Sequence, residues 1–203
     1  MGQGLGTQLA NPQDNPEDSD ADLVRLAGRG DRIAASALIV RHADKVLAVC
    51  VRMLGNRAAA EDATQETFLR LWKNADRWEP KGAKFETWLI RIAMNYCLDQ
   101  LRKSGREVNT EEMPEPVDPA PRQDDYMLQQ DRQRTVDEAL AVLPTRQRQA
   151  LILSYFQELT NIEGAQIMDV SVDAFESLLS RGRRSLRKKL DPVGLTILSG
   201  GVA

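Results

Sequence analysis

The chain has few of the residues from which disulfide frameworks and metal sites are built. Its 203 residues include two cysteines and one histidine. Cys50 and Cys97 cannot make a disulfide framework, and one histidine leaves no Cys/His zinc site, so we expect no cofactor and no metal. No apolar run approaches the roughly 20 residues that cross a bilayer, and the N-terminal stretch to Asp22 lacks the apolar core of a signal peptide. We expect a reduced, cytoplasmic protein without membrane insertion.

Aromatic residues are also scarce, at 5%, whereas 42% of residues are hydrophobic and 28% are charged. This balance is typical of a globular protein with a polar surface, and the apolar residues recur at helical spacing. The formal net charge is only -3, but acidic and basic residues are segregated along the chain. That segregation is the first feature that bears on function.

The first half predicts an all-helical domain over residues 20–104, preceded by a disordered leader, 1–19. Asp20 is the expected N-cap of a short first helix. A long amphipathic helix from about Ile33 then ends at a left-handed Gly55–Asn56 cap. Two further helices are expected at about 58–74 and 85–103, because apolar residues recur there every three or four positions.

An acidic, proline-rich linker is predicted over residues 105–130. Prolines at this density exclude a continuous helix, and like charges keep such a segment extended. Its contour could reach roughly 80 Å, so the flanking domains could act at well-separated places. The prolines and acidic residues are Pro114, Pro116, Pro119, Pro121, Glu107, Glu111, Glu112, Glu115, Asp118, Asp124 and Asp125.

The second half predicts a smaller helical domain over residues 131–191, followed by a tail, 192–203. Thr160 and Glu163 have the spacing of a capping box that opens a short helix. A tight turn at Asp169 follows, and Ser171 is the expected N-cap of the last helix. Two capped helices joined by such a turn are typical of a helix-turn-helix.

The last helix has a polar outer face rich in arginine and serine. Arginine and serine can contact base edges, while the basic run after them would hold phosphates. The alternative is an ordinary helical hairpin whose basic end complements its own helix dipole. We favour DNA binding by Glu176, Ser177, Ser180, Arg181, Arg183 and Arg184.

A second candidate nucleic-acid surface interleaves aromatic and basic residues between positions 78 and 102. Rings can stack on unpaired bases while cations hold the backbone. The alternative is that Trp88 and Tyr96, at helical spacing, belong to the core. The candidate residues are Trp78, Lys81, Lys84, Trp88, Arg91, Asn95 and Arg102.

A third candidate is the face of the third helix that carries Asp62, Gln65 and Glu66 at three- and four-residue spacing. It is either a solvated acidic face or a partner surface. Metal ligation or acid–base catalysis is disfavoured, because no histidine or matching carboxylate helix accompanies it. We therefore expect no enzymatic activity.

These segments, in this order, resemble the extracytoplasmic-function (ECF) group of the sigma-70 family of RNA polymerase sigma factors. The resemblance is carried by residues 60–72 (AEDATQETFLRLW) and 85–95 (FETWLIRIAMN) in the first half. In the second half it is carried by 143–148 (LPTRQR) and by 180–184 (SRGRR), which ends the helix-turn-helix. It covers nearly all of residues 21–190 and implies an all-α fold with a sigma2-like four-helix domain and a sigma4-like helix-turn-helix domain.

The resemblance also implies partners and roles for the three candidate surfaces. Asp62, Gln65 and Glu66 would dock on core RNA polymerase, whose contacts with such factors are the beta-prime clamp and the beta flap. The second surface would recognise and melt the minus-ten promoter element, and the last helix would recognise the minus-thirty-five element. An anti-sigma factor is a further expected partner.

Two residues depart from the family pattern. Glu176 stands where relatives often carry a basic residue, so no base preference can be transferred to it. Gly164 stands inside the first helix of the motif, where an apolar residue is usual, and should cost about 1 kcal/mol relative to alanine.

Other functions compatible with the sequence remain open at this stage. The main alternative is a dimeric helix-turn-helix regulator that acts without core polymerase, although the first half lacks the strand–helix alternation of a receiver domain. A helical adaptor that binds only protein is a third possibility.

Overall fold

The computed structural model describes residues 16–75, 78, 84–105 and 134–190, with side chains from residue 20 onward. Most of the predicted leader, the whole interior of the linker and the predicted tail lie outside these residues. Within them all regular structure is helical, which confirms the predicted all-α class, and no helix there is long and apolar enough to cross a membrane. The helices are α1 Pro16–Gly28, α2 Arg32–Leu54, α3 Arg57–Asn74, α4 Phe85–Lys103, α5 134–141, α6 Thr145–Leu151, α7 Asn161–Met168 and α8 Val172–Leu190.

The predicted ends of α2 are confirmed: the Asp31 side chain caps its start, and the backbone of Gly55 caps its end. Asp31 accepts hydrogen bonds from the backbone N–H groups of Ile33 and Ala34, at 2.8 and 3.1 Å. Gly55 ends the helix in the left-handed conformation, with φ 64°, and donates its N–H to the carbonyl of Val51. Asn56 then caps α3, so the two long helices are joined by a very short connection.

The expected N-cap at Asp20 is wrong. Helix α1 begins at Pro16, within the predicted leader, and Asp20 lies inside the helix. Its carboxylate is 7% exposed and accepts hydrogen bonds from Arg41 and from His42 Nε2, the latter at 2.9 Å. Both donors belong to α2, so tertiary pairing and not local capping explains this aspartate.

The first four helices share one core. Helix α2 packs against α1, α3 and α4, and most of the residues that face inward are apolar. Cys50 and Cys97 are fully buried in this core, where a free cysteine behaves as a small hydrophobe. The hydrogen bond with Cys50 and burial raise the pKa of the Cys97 thiol, which keeps it protonated.

The second half is built around α8, which packs against α6 and α7. The capping box predicted at Thr160 and Glu163 is present, and Ser171 Oγ accepts the N–H of Ala174, as expected for an N-cap. Asp169 makes the turn in the left-handed region, with φ 53°. One feature was not expected: the helix after Pro144 changes at Ile152 into a π-helical turn that extends to Phe156.

The structure explains why a glycine stands at position 164, which the sequence did not reveal. The Phe175 ring of α8 lies directly over it, so a Cβ at position 164 would stand 2.4 Å from the ring. Phe175 is fully buried. The expectation that alanine would be better at this position is therefore wrong, because the missing side chain lets α7 and α8 approach.

The two halves touch through the C-terminal end of α2. Arg148 of α6 donates to the carbonyl oxygen of Met53 at 2.7 Å. Arg52 lies 3.6 Å from the Asp137 carboxylate, and its guanidinium stands over the Phe156 ring at 4.1 Å. Helix α4 also packs against α7. The described residues thus form a closed arrangement of two helical domains.

Gly164→Ala should lower the free energy of unfolding by about 1–3 kcal/mol, because the added methyl group must displace a buried ring. The measurement is urea unfolding followed by circular dichroism. Gln166→Ala is the control, since this exposed residue of the same helix should change stability by no more than about 0.5 kcal/mol. In the Gly164→Ala background, Phe175→Leu should recover part of the loss, whereas purely additive effects would contradict the proposed clash.

Candidate functional site

Helix α8 presents a polar surface opposite its buried face. Leu179 and Leu186 point into the core, while the predicted DNA-contacting residues are all exposed. Five of the six line one shallow concave surface, and Arg183 lies outside that lining. The lining residues are Asp173, Glu176, Ser177, Ser180, Arg181 and Arg184.

One residue of this surface is held by the preceding helix. Asn161, at the start of α7, donates from Nδ2 to Glu176 Oε1 at 2.9 Å. Arg181 donates from Nε to the Ser177 carbonyl at 3.4 Å, and its long side chain remains exposed. Basic and hydroxyl groups on one exposed helix face are suited to DNA phosphates and base edges.

The second predicted surface occupies one face of α4. Trp88, Arg91, Asn95 and Arg102 are spaced so that they share this face, and the last three are exposed. Arg102 pairs with Asp99 at 3.1 Å, which neutralises part of its charge. Lys84, at the N-cap, is exposed, and Lys81 lies outside the described residues.

The aromatic residues of this surface form a cluster with α4. Trp78 meets Phe85 edge to face, with ring centroids 5.7 Å apart, and lies 6.4 Å from Trp88. Phe85 is buried, whereas Trp78 and Trp88 are half-buried and pack on the rim of the core. The two tryptophans are therefore anchored by the core and partly open to solvent. Core packing thus explains part of the position of Trp88, and its contact with nucleic acid stays a prediction.

The aromatic cluster is supported on its buried side by His42, which in turn contacts Asp20. His42 is 4% exposed, and its ring meets the edge of Phe85 at a centroid distance of 5.2 Å. Burial by itself would raise the pKa of the Asp20 carboxyl, but the hydrogen bonds and charges of His42 and Arg41 outweigh it, so that pKa lies below its usual value. Asp20 thus connects α1 through His42 to the beginning of α4.

The third surface lies on α3. Asp62 and Gln65 are exposed, and Glu66 is half-buried. Glu66 accepts a hydrogen bond from Arg70 at 3.0 Å, and the guanidinium of Arg70 stands over the Tyr96 ring at 4.8 Å. The predicted residues therefore share one helix face, and Glu66 is held in place by Arg70, which also contacts Tyr96 of α4.

Sequence reasoning missed Leu69 on the same face. It follows Glu66 by three positions and Gln65 by four, and its side chain is 50% exposed. The helical spacing could have revealed it. Leu69 is in phase with the acidic residues and out of phase with the buried Phe68 and Leu71, so its side chain points outward. The acidic surface thus continues into an exposed apolar residue, and protein interfaces combine such apolar and polar groups.

Comparison with known proteins identifies the family. Sigma-70 region 2 matches residues 38–107, and sigma-70 region 4 matches residues 133–186. The chain is 31% identical over 181 residues to the ECF RNA polymerase sigma factor SigW of Bacillus subtilis, covering 82% of this chain and 94% of SigW. The chain belongs to the ECF group of the sigma-70 family. It is 33% identical over 186 residues to the sigma factor SigE of Mycolicibacterium smegmatis, covering 86% of this chain and 70% of SigE.

Solved structures agree with this assignment for both halves of the sigma factor. CnrH in complex with the cytosolic domain of CnrY gives a TM-score of 0.62 at 26% identity, over 86% of this chain and 99% of that one. The sigma factor RpoE of Bartonella quintana, in complex with the anti-sigma factor NepR, gives 0.60 at 25% identity, over 77% and 96%.

The family assignment confirms the predicted function. This chain is an alternative sigma factor, which binds core RNA polymerase and directs it to promoter DNA. The comparisons give no support to a dimeric regulator that acts without polymerase. The surfaces of α3 and α4 fall within the region 2 match, and that of α8 falls within the region 4 match.

Asp20→Asn should destabilise the sigma factor in a pH-dependent way. Because the pKa of Asp20 is lower in the folded protein than its usual 3.8, the ionised carboxylate stabilises the fold above about pH 4. This contribution is lost as the pH falls through the folded pKa. We expect a deficit of about 1–3 kcal/mol at pH 7 that shrinks below pH 4, measured by urea unfolding. Asp22→Asn, which removes an exposed carboxylate from the same helix, should show neither effect; a deficit independent of pH would refute the ionic role.

Proposed function

We propose that this sigma factor uses three separate helix faces for its three contacts. The face of α3 binds core polymerase, that of α4 recognises and melts the minus-ten element, and that of α8 recognises the minus-thirty-five element. The observation that supports this assignment is the exposure of an acidic face and two aromatic or basic faces on different helices. The protein catalyses no reaction itself and acts in the cytoplasm as a specificity subunit.

The α3 surface is suited to protein and not to DNA. Its carboxylates would be repelled by phosphates, whereas a basic surface on polymerase would attract them. Leu69 offers an apolar contact beside the acidic residues, whose charges would orient the partner. Arg70 partly neutralises Glu66, so Asp62 carries the more available charge.

The α4 surface is suited to unpaired bases. Trp78 and Trp88 are held on one side by the core and are open on the other, so a base can stack on a ring whose position is already fixed. Arg91 and Asn95 lie one and two turns further along the same face, where they can contact the strand. Capture of such bases offsets an unstacking cost of a few kcal/mol per step, so melting needs no hydrolysis.

The closed arrangement cannot contact the two promoter elements at the same time. Elements about 25 base pairs apart are separated by about 85 Å at about 3.4 Å per base pair, whereas α4 packs directly against α7 of the helix-turn-helix. The two domains must therefore separate when the sigma factor binds polymerase. The solved structure of RpoE, which matches 77% of this chain, contains the anti-sigma factor NepR, and that of CnrH also contains a protein partner. We therefore propose that an anti-sigma factor binds the closed arrangement.

Asp62→Ala combined with Glu66→Ala should weaken binding to core polymerase by about tenfold, because two interfacial charges are removed. The measurement is a titration of labelled sigma factor with purified core enzyme. The matched control is Asp22→Ala combined with Glu138→Ala, which removes the same charge from two exposed carboxylates that also pair with a nearby arginine. Equal affinities of the two double variants would remove the assignment of α3.

A disulfide between Gly55→Cys and Ala141→Cys tests whether the domains separate. A Cβ at position 55 would lie 3.5 Å from the Cβ of Ala141, within the range of about 3.5–4.5 Å that disulfides require. Oxidation should abolish most run-off transcription from a promoter with both elements, and a reductant should restore it.

The reduced double variant and each single variant control for the strain of a side chain at the left-handed Gly55 position. The native Cys50 and Cys97 are buried and should not interfere. If the crosslink is verified by mass spectrometry and transcription is undiminished, domain separation is not needed and the proposal fails.

A further inference from the structure

We propose that Glu176 selects a cytosine within the upstream promoter element and that Asn161 positions its carboxylate for this contact. The inference rests on the proposed role of α8 in DNA recognition and adds a base identity to it. It starts from a residue that departs from the family pattern, since an acidic side chain stands here beside arginines and serines that are suited to phosphates and base edges.

The carboxylate is already held in the orientation that a base contact requires. Asn161 Nδ2 donates to Glu176 Oε1 at 2.9 Å, across the turn that joins α7 to α8. Among the residues that the structure describes, no other donor contacts this carboxylate, so Oε2 keeps its lone pairs for an external donor. Glu176 is the fifth residue of α8 and belongs to the N-terminal part, which enters the major groove in helix-turn-helix proteins.

The donors and acceptors in the major groove limit which base the Glu176 carboxylate could contact. A carboxylate can only accept, and guanine N7 and O6 and thymine O4 are acceptors that would repel it. Adenine offers an amino group, but its acceptor N7 stands beside it. Cytosine offers N4 without an adjacent acceptor, which makes it the base that an oriented glutamate favours.

A purely structural role for Glu176 explains the geometry less well. Helices α7 and α8 are already held by the packing of Phe175 over Gly164 and by the turn at Asp169. An amide could accept the hydrogen bond from Asn161 equally well, without the repulsion that a carboxylate experiences from DNA phosphates. The negative charge therefore has a cost on this surface that base selection would offset.

The test is run-off transcription by the reconstituted holoenzyme on a promoter library randomised through the upstream element. With the wild-type chain we expect one position at which cytosine on one strand is favoured. Glu176→Gln should keep the bond to Asn161 but reduce that cytosine preference by about five- to tenfold, with adenine gaining, because glutamine can pair with adenine N6 and N7. Preferences at other positions should remain.

Asn161→Ala leaves the charge of Glu176 intact but frees its side chain, so the same preference should weaken at that position alone. This readout identifies Asn161 as a positioning residue, because a general loss of stability would lower all sequences equally. Glu138→Gln, which removes an exposed carboxylate from α5, should leave the profile unchanged.

A separate variant distinguishes failure of this inference from failure of the proposed function. Arg181→Ala should reduce use of the upstream element while sparing affinity for core polymerase. If it does so and Glu176→Gln leaves the base profile unchanged, Glu176 does not select a base. If neither variant changes the use of the element, α8 is not the DNA-reading helix, and the proposed function itself is wrong.

Discussion

The closed arrangement depends on the guanidinium of Arg148. This group is buried at the start of the second domain, and its pKa, which burial lowers to about 10, still leaves it charged at neutral pH. It donates to the carbonyls of Ala141 and Leu143 at 2.5 and 3.2 Å, which hold α5 to α6, and to that of Met53 at 2.7 Å, which holds the second domain to the first. Separation of the domains removes only the last of these bonds. The second domain therefore keeps its internal contacts, and water can replace the bond to Met53.

A second polar contact between the halves is of the same reversible kind, beside the packing of α4 against α7. Arg52 bridges them through a 3.6 Å ion pair with Asp137 and through the face of Phe156. Such contacts are worth little once both partners can be hydrated. The faces of α3, α4 and α8 stay at least partly exposed in the closed arrangement, so closure buries none of the proposed binding residues that the structure describes. Control of this sigma factor would then act on the distance between its DNA-reading helices, which a partner can fix by binding both domains at once.

Local signals explain why so much of the fold could be predicted from the sequence. Caps such as Gly55, Thr160 and Ser171 act within one turn of the chain, and the periodic apolar residues define each buried face. Asp20 and Gly164 were misinterpreted because their reasons lie elsewhere: the partners of Asp20 are on α2, and the ring that requires Gly164 is on α8. Leu69 was missed for a different reason. Its signal is local, an exposed apolar residue at the helical spacing of the acidic residues, but it stands beside the buried Phe68 and Leu71 in the sequence. The roles of the individual site residues remain predictions, because they depend on polymerase and DNA.

The contact between Asn161 and Glu176 shows why base recognition is hard to predict from the sequence of the recognition helix alone. The two residues are fifteen positions apart and belong to different helices, so no periodicity within α8 reveals that the carboxylate is held. A free glutamate on a DNA-facing helix would turn away from the phosphates, and its presence would then only weaken binding. A glutamate held by an amide loses little further freedom when it meets a base, and its repulsion of the wrong bases becomes a source of discrimination. Specificity at this position thus depends on the fixed turn between α7 and α8 as much as on the residue that would touch DNA.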